Sequence, residues 1–385
     1  MSRYKSRDGQ GQQLTSNWKN SRRIKQLEAQ LKKCRGALAN SAIKDEEARR
    51  RLNQEDTDIW INAYERPFLQ DVNKARRSKM SRRLGNKTQV ITVPLNSHTR
   101  DRQDHSLEAV ADATDIASIL SSNIELVQAG MLLHDCGHMP CGHAAEDFLS
   151  NRTGQKWRHD ILGVVIAQQI ERKGQGLNLT WQTLDIIRNH SRGSGAASVQ
   201  GMRDEPAIAV KADKFAYTLG DFNDIFQREA LAAQGFTRKR YAHIVEAAEW
   251  FGSCQREREF TCIANLCIES AACGYISFDQ CEAAVRFEKL KRMMYEDVYT
   301  KIDRRVINMK MAIVYDALLR ALANSDVDPA LVFALMDDQE LDWLFKKASR
   351  HEIIDETTLS VISVGEIIPH IRGRQIDVTE PDMDW

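Results

Sequence analysis

The sequence predicts an all-α fold, a helical bundle with a small β-hairpin and peripheral helices. Most of the chain repeats apolar residues at helical spacing, whereas only the segment 89–93 alternates in the way a half-buried strand does. The chain has 385 residues, of which 42% are hydrophobic and 28% charged. That composition is typical of a folded protein with a sizeable core, and it excludes a mainly disordered chain.

The elements are predicted in order from the N-terminus. Apolar residues recur at helical spacing across 24–38 in a polar background, which indicates a surface helix or a short coiled coil. The hairpin is expected at 89–96, where Pro94 stops the extended stretch. Further helices are predicted at 109–120, 124–133, 159–171, 180–189, 206–219, 283–323 and 339–349.

Charge divides the chain unevenly. The 54 Lys and Arg residues balance 54 Asp and Glu residues, which excludes a protein whose whole surface attracts nucleic acid. Residues 1–51, however, hold 14 Lys and Arg against 5 Asp and Glu. We therefore predict a basic N-terminal helical segment at 1–52, a core at 53–325 in which 225–280 has no clear role, and a C-terminal helical region with an acidic tail at 326–385.

Neither secretion nor a membrane span is predicted. No run approaches the roughly 18 apolar residues that a spanning helix needs, and the polar start lacks the apolar core of a signal peptide. The protein is therefore expected to be cytoplasmic, without a membrane partner. The eight cysteines include no C-x-x-C pair, so we expect reduced thiols rather than a disulfide framework or a zinc site.

The candidate chemistry is concentrated in a short window. Five of the ten histidines, at 105, 134, 138, 143 and 159, fall within 55 residues. A single buried histidine usually only forms hydrogen bonds, so the argument depends on the cluster. His134 and Asp135 directly follow an apolar helical run, and this pair needs two further protein ligands to hold a metal with open positions. His105 and Asp213 are the candidates.

Five short segments follow one another along the chain: R-R-L-G-N-K-T-Q-V at 82–90, R-D-R-Q-D-H-S-L-E at 100–108, H-D-C-G-H-M-P-C-G-H-A-A-E at 134–146, K-W-R-H at 156–159 and D-K-F-A-Y-T-L-G-D at 213–221. With the pattern H…HD…D, their order and spacing resemble the HD-domain phosphohydrolases and, within them, the deoxynucleoside triphosphate triphosphohydrolases of dGTPase type. Asn17 and Trp18 are also similar to the family's N-terminal pair.

The resemblance implies an HD-domain enzyme that hydrolyses a 2′-deoxynucleoside 5′-triphosphate, with dGTP as the first substrate to consider. Water would attack the α-phosphorus and release a deoxynucleoside and inorganic triphosphate. One divalent metal ion is implied, Mn²⁺ or Mg²⁺ first, with Fe and Co as alternatives. The implied metal ligands are His105, His134, Asp135 and Asp213.

The resemblance also implies the other site residues. The implied catalytic residues are His138, Glu146 and His159, with His138 hydrogen-bonded to Glu146 and His159 as a second proton donor. The implied substrate-binding residues are Gln89, Arg102, His143, Lys214, Tyr217 and Asp221. Cations must hold the triphosphate, a task for Arg102 and Lys214, with Arg83 and Arg100 as further candidates. Tyr217 would lie beneath the sugar and exclude a 2′-hydroxyl, while Gln89 and Asp221 would bind the 3′-hydroxyl.

Partners and alternative functions complete the expectations. Members of the family form multimers, so a homo-oligomer is expected, with a hexamer as the first guess. The basic segment at 1–52 is expected to be a solvated helix or an oligomer contact, with single-stranded DNA as an alternative partner. The alternative functions are another HD phosphohydrolase, such as a nucleotidase or phosphodiesterase, and a non-catalytic protein that binds a nucleotide or single-stranded nucleic acid.

Overall fold

The protein is described from a computed structural model, which covers residues 22–52, 66–90, 98–191 and 199–385. Its α-helices are α1 Arg22–Leu31, α2 Pro67–Arg77, α3 Lys79–Arg83, α4 Arg102–Leu120, α5 Ile124–Leu133, α6 His143–Thr153, α7 His159–Val165, α8 Glu171–Gly174, α9 Trp181–Asn189, α10 Asp204–Phe222, α11 Ala242–Glu249, α12 Gln255–Cys273, α13 Glu282–Asp297, α14 Arg305–Ala321, α15 Pro329–Leu335, α16 Asp338–Ser349, α17 Glu356–Leu359 and α18 Ile368–Ile371.

The all-α prediction is confirmed. Within the described residues, β pairing is limited to two isolated bridges, Arg50 with Thr180 and Thr88 with Asp101. Most of the expected hairpin falls on 91–97, which lies outside the described residues, as do Asn17 and Trp18. No helix in the described part of the chain is both long and apolar enough to cross a membrane. The eight cysteines are free thiols.

Helix α5 is the centre of the fold. It packs against α4, α2, α9 and α10, while α10 also lies along α4. Val127 and Met131 belong to a hydrophobic core that includes α4, α10, α12 and α13. Leu132 and Leu133 belong to a second core formed with α7, α9, α14, α15 and α16. The end of α5 therefore lies between two packed cores, where buried polar side chains need partners.

Several helix boundaries differ from the predicted ones. The run predicted at 283–323 is divided, because α13 ends at Asp297 and α14 begins at Arg305. The N-terminal helix ends at Leu31 rather than continuing to Leu38. Beyond it, the Leu38 amide donates to the Leu120 carbonyl, so Leu38 is buried by a turn against the end of α4 rather than by a helical stripe. Spacing alone cannot distinguish these cases.

The two ends of the described chain are packed. Ile24 and Leu27 of α1 bury themselves against Ala264 of α12. Near the C-terminus, Met383 is buried, and the Trp181 indole donates to its carbonyl. The acidic tail is therefore held against the start of α9. The chain divisions at 52 and 325 stay predictions.

Candidate metal and substrate site

Helix α4 brings the first candidate ligand into the centre of the molecule. The Asp101 carboxylate accepts from the Asp104 amide at 2.8 Å, and the Asp104 carboxylate accepts from the Asp101 amide at 3.3 Å. This reciprocal capping fixes the first turn of the helix. His105 follows directly and is buried, 3.3 Å from Asp213 of α10.

His134 is oriented by the end of α5. Its Nδ1 lies 2.7 Å from the Met131 carbonyl oxygen, which can only accept, so the proton is on Nδ1. The lone pair of Nε2 is then free, and Nε2 lies 3.6 Å from an oxygen of Asp213. Fixing a histidine tautomer through its other nitrogen is the usual arrangement of a metal ligand.

The four predicted ligands lie together. Nε2 of His105 and Nε2 of His134 are 3.3 Å apart, and both carboxylates approach them. Asp135 oxygens are 3.7 Å from His105 Nε2 and 3.6 Å from His134 Nε2. Two imidazole nitrogens at this distance repel one another unless a proton or cation lies between them. His105, His134 and Asp213 form one group of potential ligand atoms, and His134, Asp135 and His190 form an overlapping one. Because both carboxylates add negative charge, these buried donors fit a divalent cation.

The charge state of the carboxylates supports that fit. Burial alone would raise the pKa of Asp135, but His134, His138 and Arg102 hold it well below its usual range. Burial opposes ionisation of Asp213 as well, yet Lys214 and the two histidines hold its pKa well below the usual range. Both groups are therefore anionic at neutral pH, as metal ligands must be.

A second cluster adjoins the first and contains His138, His143, Glu146 and His159. Their potential ligand atoms lie within 4.8 Å of one another. The rings of His138 and His159, however, are stacked with centroids 3.8 Å apart and planes 12° apart. The nitrogen lone pairs of an imidazole lie in the plane of its ring. Because the planes of His138 and His159 are nearly parallel, their lone pairs cannot converge on one ion. This arrangement is better suited to holding and moving protons.

Glu146 pairs with a different histidine from the expected one. Its Oε1 is 2.6 Å from Nδ1 of His159, whereas it is 3.5 Å from Nδ1 of His138. The His138 Nδ1 is buried without a hydrogen-bond partner in the described structure. Nε2 of His138 instead lies 3.2 Å from Asp135. The hydrogen bond predicted for His138 is thus made by His159, which lies 13 residues beyond Glu146 along the chain.

This pairing separates the charge states of the histidines. Burial would lower the pKa of His159, but Glu146 outweighs it and raises that pKa above the ordinary value. Burial, Arg102 and His159 hold the pKa of His138 well below the usual range. His143 is exposed at one edge of the cluster, yet desolvation by the surrounding protein lowers its pKa to about 4. A proton in this cluster is therefore held more readily by His159 than by His138 or His143.

His190 joins the two clusters and was missed as a site residue. It directly follows α9, just beyond the helix predicted at 180–189. Its Nδ1 donates to the Ile187 carbonyl at 2.7 Å, while its Nε2 lies 3.2 Å from Nε2 of His159 and 3.7 Å from Asp135. A histidine 31 residues beyond His159 leaves no local signal of this contact.

Two cations border the clusters. Arg102 donates to Asp135 at 2.7 Å and to the backbone oxygen of Gln89 at 3.3 Å. Gly142 makes room for it, because a Cβ there would lie 2.5 Å from the Arg102 guanidinium. Lys214 lies 3.4 Å from Asp213 and 5.2 Å from the centre of the Tyr217 ring. Arg102 therefore adjoins the candidate metal position at Asp135, and Lys214 adjoins it at Asp213 with Tyr217 beside it.

The predicted sugar-binding residues differ in availability. The side-chain oxygen of Gln89 is buried and has no partner within the described residues. Asp221 has partners on both oxygens, since Arg100 donates to it at 2.6 Å and the Tyr299 hydroxyl at 2.8 Å. Burial raises the pKa of Asp221 to about 7. Tyr299 was not predicted, and its ring centre lies 6.4 Å from that of Tyr217.

The two further candidates for phosphate binding lie elsewhere. Arg100 is buried and paired with Glu108, Asp221 and Asp224 at 2.6–2.9 Å, so it positions Asp221 rather than facing a ligand. Arg83 lines a groove of about 1440 Å³, together with Lys79 and Arg82, whose lining contains none of the other predicted site residues.

The chain is similar to known proteins. The HD domain model matches residues 102–218, a range that contains all four candidate metal ligands. A deoxyguanosinetriphosphate triphosphohydrolase-like protein of Caldanaerobacter subterraneus subsp. tengcongensis is 35% identical over 195 residues, which is 50% of this chain and 55% of the relative. A protein of that name from Clostridium perfringens strain SM101 is 32% identical over 238 residues, 60% of this chain and 67% of the relative.

A third relative of that name, from Desulfatibacillum aliphaticivorans, is 36% identical over 163 residues. The match covers 41% of this chain and 46% of the relative. The chain thus spans about half the length of the first and third relatives and about two thirds of the second.

Proposed function

Because the chain belongs to the HD-domain family of deoxyguanosinetriphosphate triphosphohydrolase-like proteins, which are metal-dependent phosphohydrolases, we propose that it hydrolyses a 2′-deoxynucleoside 5′-triphosphate to a deoxynucleoside and inorganic triphosphate. dGTP is the first substrate to test. The observation that carries the proposal is the contact between a buried His–Asp cluster and a separate proton-handling cluster, through His138 and Asp135 at 3.2 Å. Hydrolysis at phosphorus needs both in one place.

The proposed metal ligands are His105, His134, Asp135 and Asp213. Two imidazole nitrogens and two carboxylates suit Mn²⁺, with Fe²⁺ and Co²⁺ as alternatives, and the carboxylates also suit Mg²⁺. When bound, such an ion supplies Lewis acidity at the α-phosphoryl group and lowers the pKa of water. The protein's own part is to keep both carboxylates ionised and to hold the two Nε2 atoms 3.3 Å apart beside them.

Arg102 and Lys214 bind the triphosphate in this proposal. Each cation is anchored to a carboxylate of the metal cluster, so its position is fixed before the substrate arrives. Fixed charges that need not reorganise are the most effective way to hold the negative charge that shifts as the bond breaks. Neutral His143, at the start of α6, adds a hydrogen-bonding group beside the phosphates.

Protons move through the second cluster. Water attacks the α-phosphorus, neutral His138 accepts its proton, and the bond between phosphorus and the 5′ oxygen breaks. His159, kept protonated by Glu146, donates the proton that the leaving 5′ oxygen needs. The stacked rings thus supply a base and an acid 3.8 Å apart.

Sugar selectivity follows from the same side of the site. Gln89 has a buried oxygen that accepts the 3′-hydroxyl, and Asp221 contributes a second acceptor, since each carboxylate oxygen has a spare lone pair. The Tyr217 ring beneath the sugar leaves no space for a 2′-hydroxyl. The expected homo-oligomer and its hexameric size, the contact with single-stranded DNA and the cytoplasmic location stay predictions.

A product assay tests the proposal. All dNTPs and NTPs are incubated with Mn²⁺ or Mg²⁺, and the products are separated by chromatography. We expect deoxynucleoside and triphosphate in equal amounts from dNTPs. Asp135→Ala should lose bound metal and activity together, whereas Asp147→Ala, on the exposed face of α6, should lose neither.

Other outcomes would replace the proposal. Release of phosphate or a nucleoside monophosphate would indicate another HD phosphohydrolase. Binding of a nucleotide without turnover by the metal-loaded protein would indicate a binding protein. A fully metal-loaded and active Asp135→Ala variant would contradict the metal assignment.

A further inference from the structure

The loop that joins α5 to α6 has a strained backbone. Cys141 has a φ of 65° and Gly142 a φ of 61°. A residue with a side chain disfavours positive φ, so the surrounding contacts must hold Cys141 in place. Glycine adopts that value freely, whereas cysteine does not. The loop lies directly before His143 and Glu146, so its conformation sets where α6 begins.

Asp338, the first residue of α16, supplies the required contact. Its Oδ1 accepts from the Cys141 amide at 2.7 Å. Its Oδ2 accepts from the Thr88 amide at 2.9 Å and from the Thr88 hydroxyl. One carboxylate therefore joins the loop to the residue before Gln89, and so connects two walls of the candidate site.

The start of α16 is itself held firmly. Asp337 and Glu340 cap the helix reciprocally at 2.8 and 2.9 Å. Asp337 also accepts from the Asn86 side chain at 3.1 Å. On the other side of the contact, Lys87 donates to the backbone oxygen of His138. The segment 86–88 thus contacts both α16 and the loop that joins α5 to α6.

We propose that Asp338 is a positioning residue for the reaction, acting through the Cys141 amide and Thr88. The inference rests on the proposed function and deepens it. Asp338 lies outside the range 102–218 that the HD domain model matches. Without the carboxylate, Cys141 relaxes towards negative φ and the start of α6 shifts, so Glu146 no longer holds His159. Misplacement of catalytic groups by about 1 Å costs on the order of 100-fold in rate.

Three variants test the role of Asp338 in the full-length, metal-loaded protein. Asp338→Ala should lower kcat by about 10- to 100-fold while bound metal stays stoichiometric. Asp338→Asn keeps an oxygen that can accept from Cys141, so its kcat should fall between those of the wild type and Asp338→Ala. Asp342→Ala is the control, because Asp342 lies one turn later on α16 and pairs with Lys310 and Lys346.

Amide hydrogen exchange provides a readout that needs no turnover. Exchange in a peptide covering 139–146 should be faster in Asp338→Ala, while exchange in α5 stays as in the wild type. If the wild type hydrolysed no nucleotide, the proposed function would fail and the exchange result would still decide whether Asp338 holds the loop. A kcat for Asp338→Ala within twofold of the control, or unchanged exchange at 139–146, would overturn the proposal. A loss of kcat that came with an equal loss of bound metal, or with faster amide exchange throughout the protein, would also overturn the proposal.

Discussion

Gly137→Ala should separate the loop that joins α5 to α6 from helix α7. A Cβ at Gly137 would lie 1.9 Å from the His159 backbone oxygen and 2.3 Å from the Gly163 amide nitrogen. Ordinary contacts of this kind begin at about 3.4 Å, so the loop and α7 must move apart by roughly 1.5 Å. Neither neighbour can rotate away, because both are backbone atoms. The displacement acts on the stacked rings of His138 and His159, which lie at 3.8 Å.

The expected cost follows from that displacement. A shift of about 1 Å in catalytic groups lowers rates by roughly 100-fold, so we expect kcat to fall by at least that factor. Overpacking in a dense interior costs about 1–3 kcal/mol, so the variant should still fold. dNTP hydrolysis is measured well below the melting temperature, with urea unfolding recorded in parallel.

Gly154→Ala is the matched control for Gly137→Ala. Gly154 also needs an unusual backbone conformation, with a φ of 72°, yet a Cβ there meets no atom within 4 Å. The control should therefore lose about 1 kcal/mol of stability and little activity. If Gly137→Ala retained a kcat within tenfold of Gly154→Ala, the close approach of loop and α7 would not be what positions the histidines.

Three further predictions concern charge, sugar selectivity and stability. Glu146 raises the pKa of His159, so activity that needs protonated His159 is present below that pKa and lost above it. Glu146→Gln should therefore move the alkaline limb of the pH–rate profile to lower pH. An unmoved limb would exclude His159 as the acid. Tyr217→Ala should narrow the ratio of kcat/KM between dGTP and GTP, and an unchanged ratio would contradict the role of the ring. Asp71 is buried, pairs with Arg50 and accepts three hydrogen bonds from α9 and its N-cap. Asp71→Ala should lower the free energy of unfolding by about 3–5 kcal/mol, measured in urea, without changing the pH–rate profile. A decrease below about 1 kcal/mol would refute this prediction.

Local patterns predicted many of the helices because periodicity reports on which face is buried, but α11 and α12 within 225–280 were missed. The apolar run 124–133 corresponds to α5, whereas the helix predicted at 109–120 begins at Arg102, before its apolar stripe. Periodicity did not reveal the break between Asp297 and Arg305, since an apolar pattern can continue through a turn.

The sequence allowed the candidate metal ligands to be chosen by residue type, but it did not predict which side chains would contact one another. The four predicted metal ligands lie together, although their roles stay predictions. Which histidine Glu146 would contact depends on how α6 and α7 pack, and this is not encoded in the spacing of either segment. Asp338 was missed for the same physical reason, because its contacts cross 197 and 250 residues of chain.

The proposed metal ligands come from α4, from the two residues that follow α5 and from α10, and this spread would link ion binding to folding. An unfolded chain cannot gather His105 and Asp213 at one point, since both cores must pack before these helices meet. In the proposed site an ion would bind the native state alone, and at a hundredfold excess over its Kd it would add about 2.7 kcal/mol to the free energy of unfolding. A variant that weakens metal binding will consequently melt earlier even if its own packing is intact. Melting temperatures of variants are comparable only when the free metal concentration is fixed.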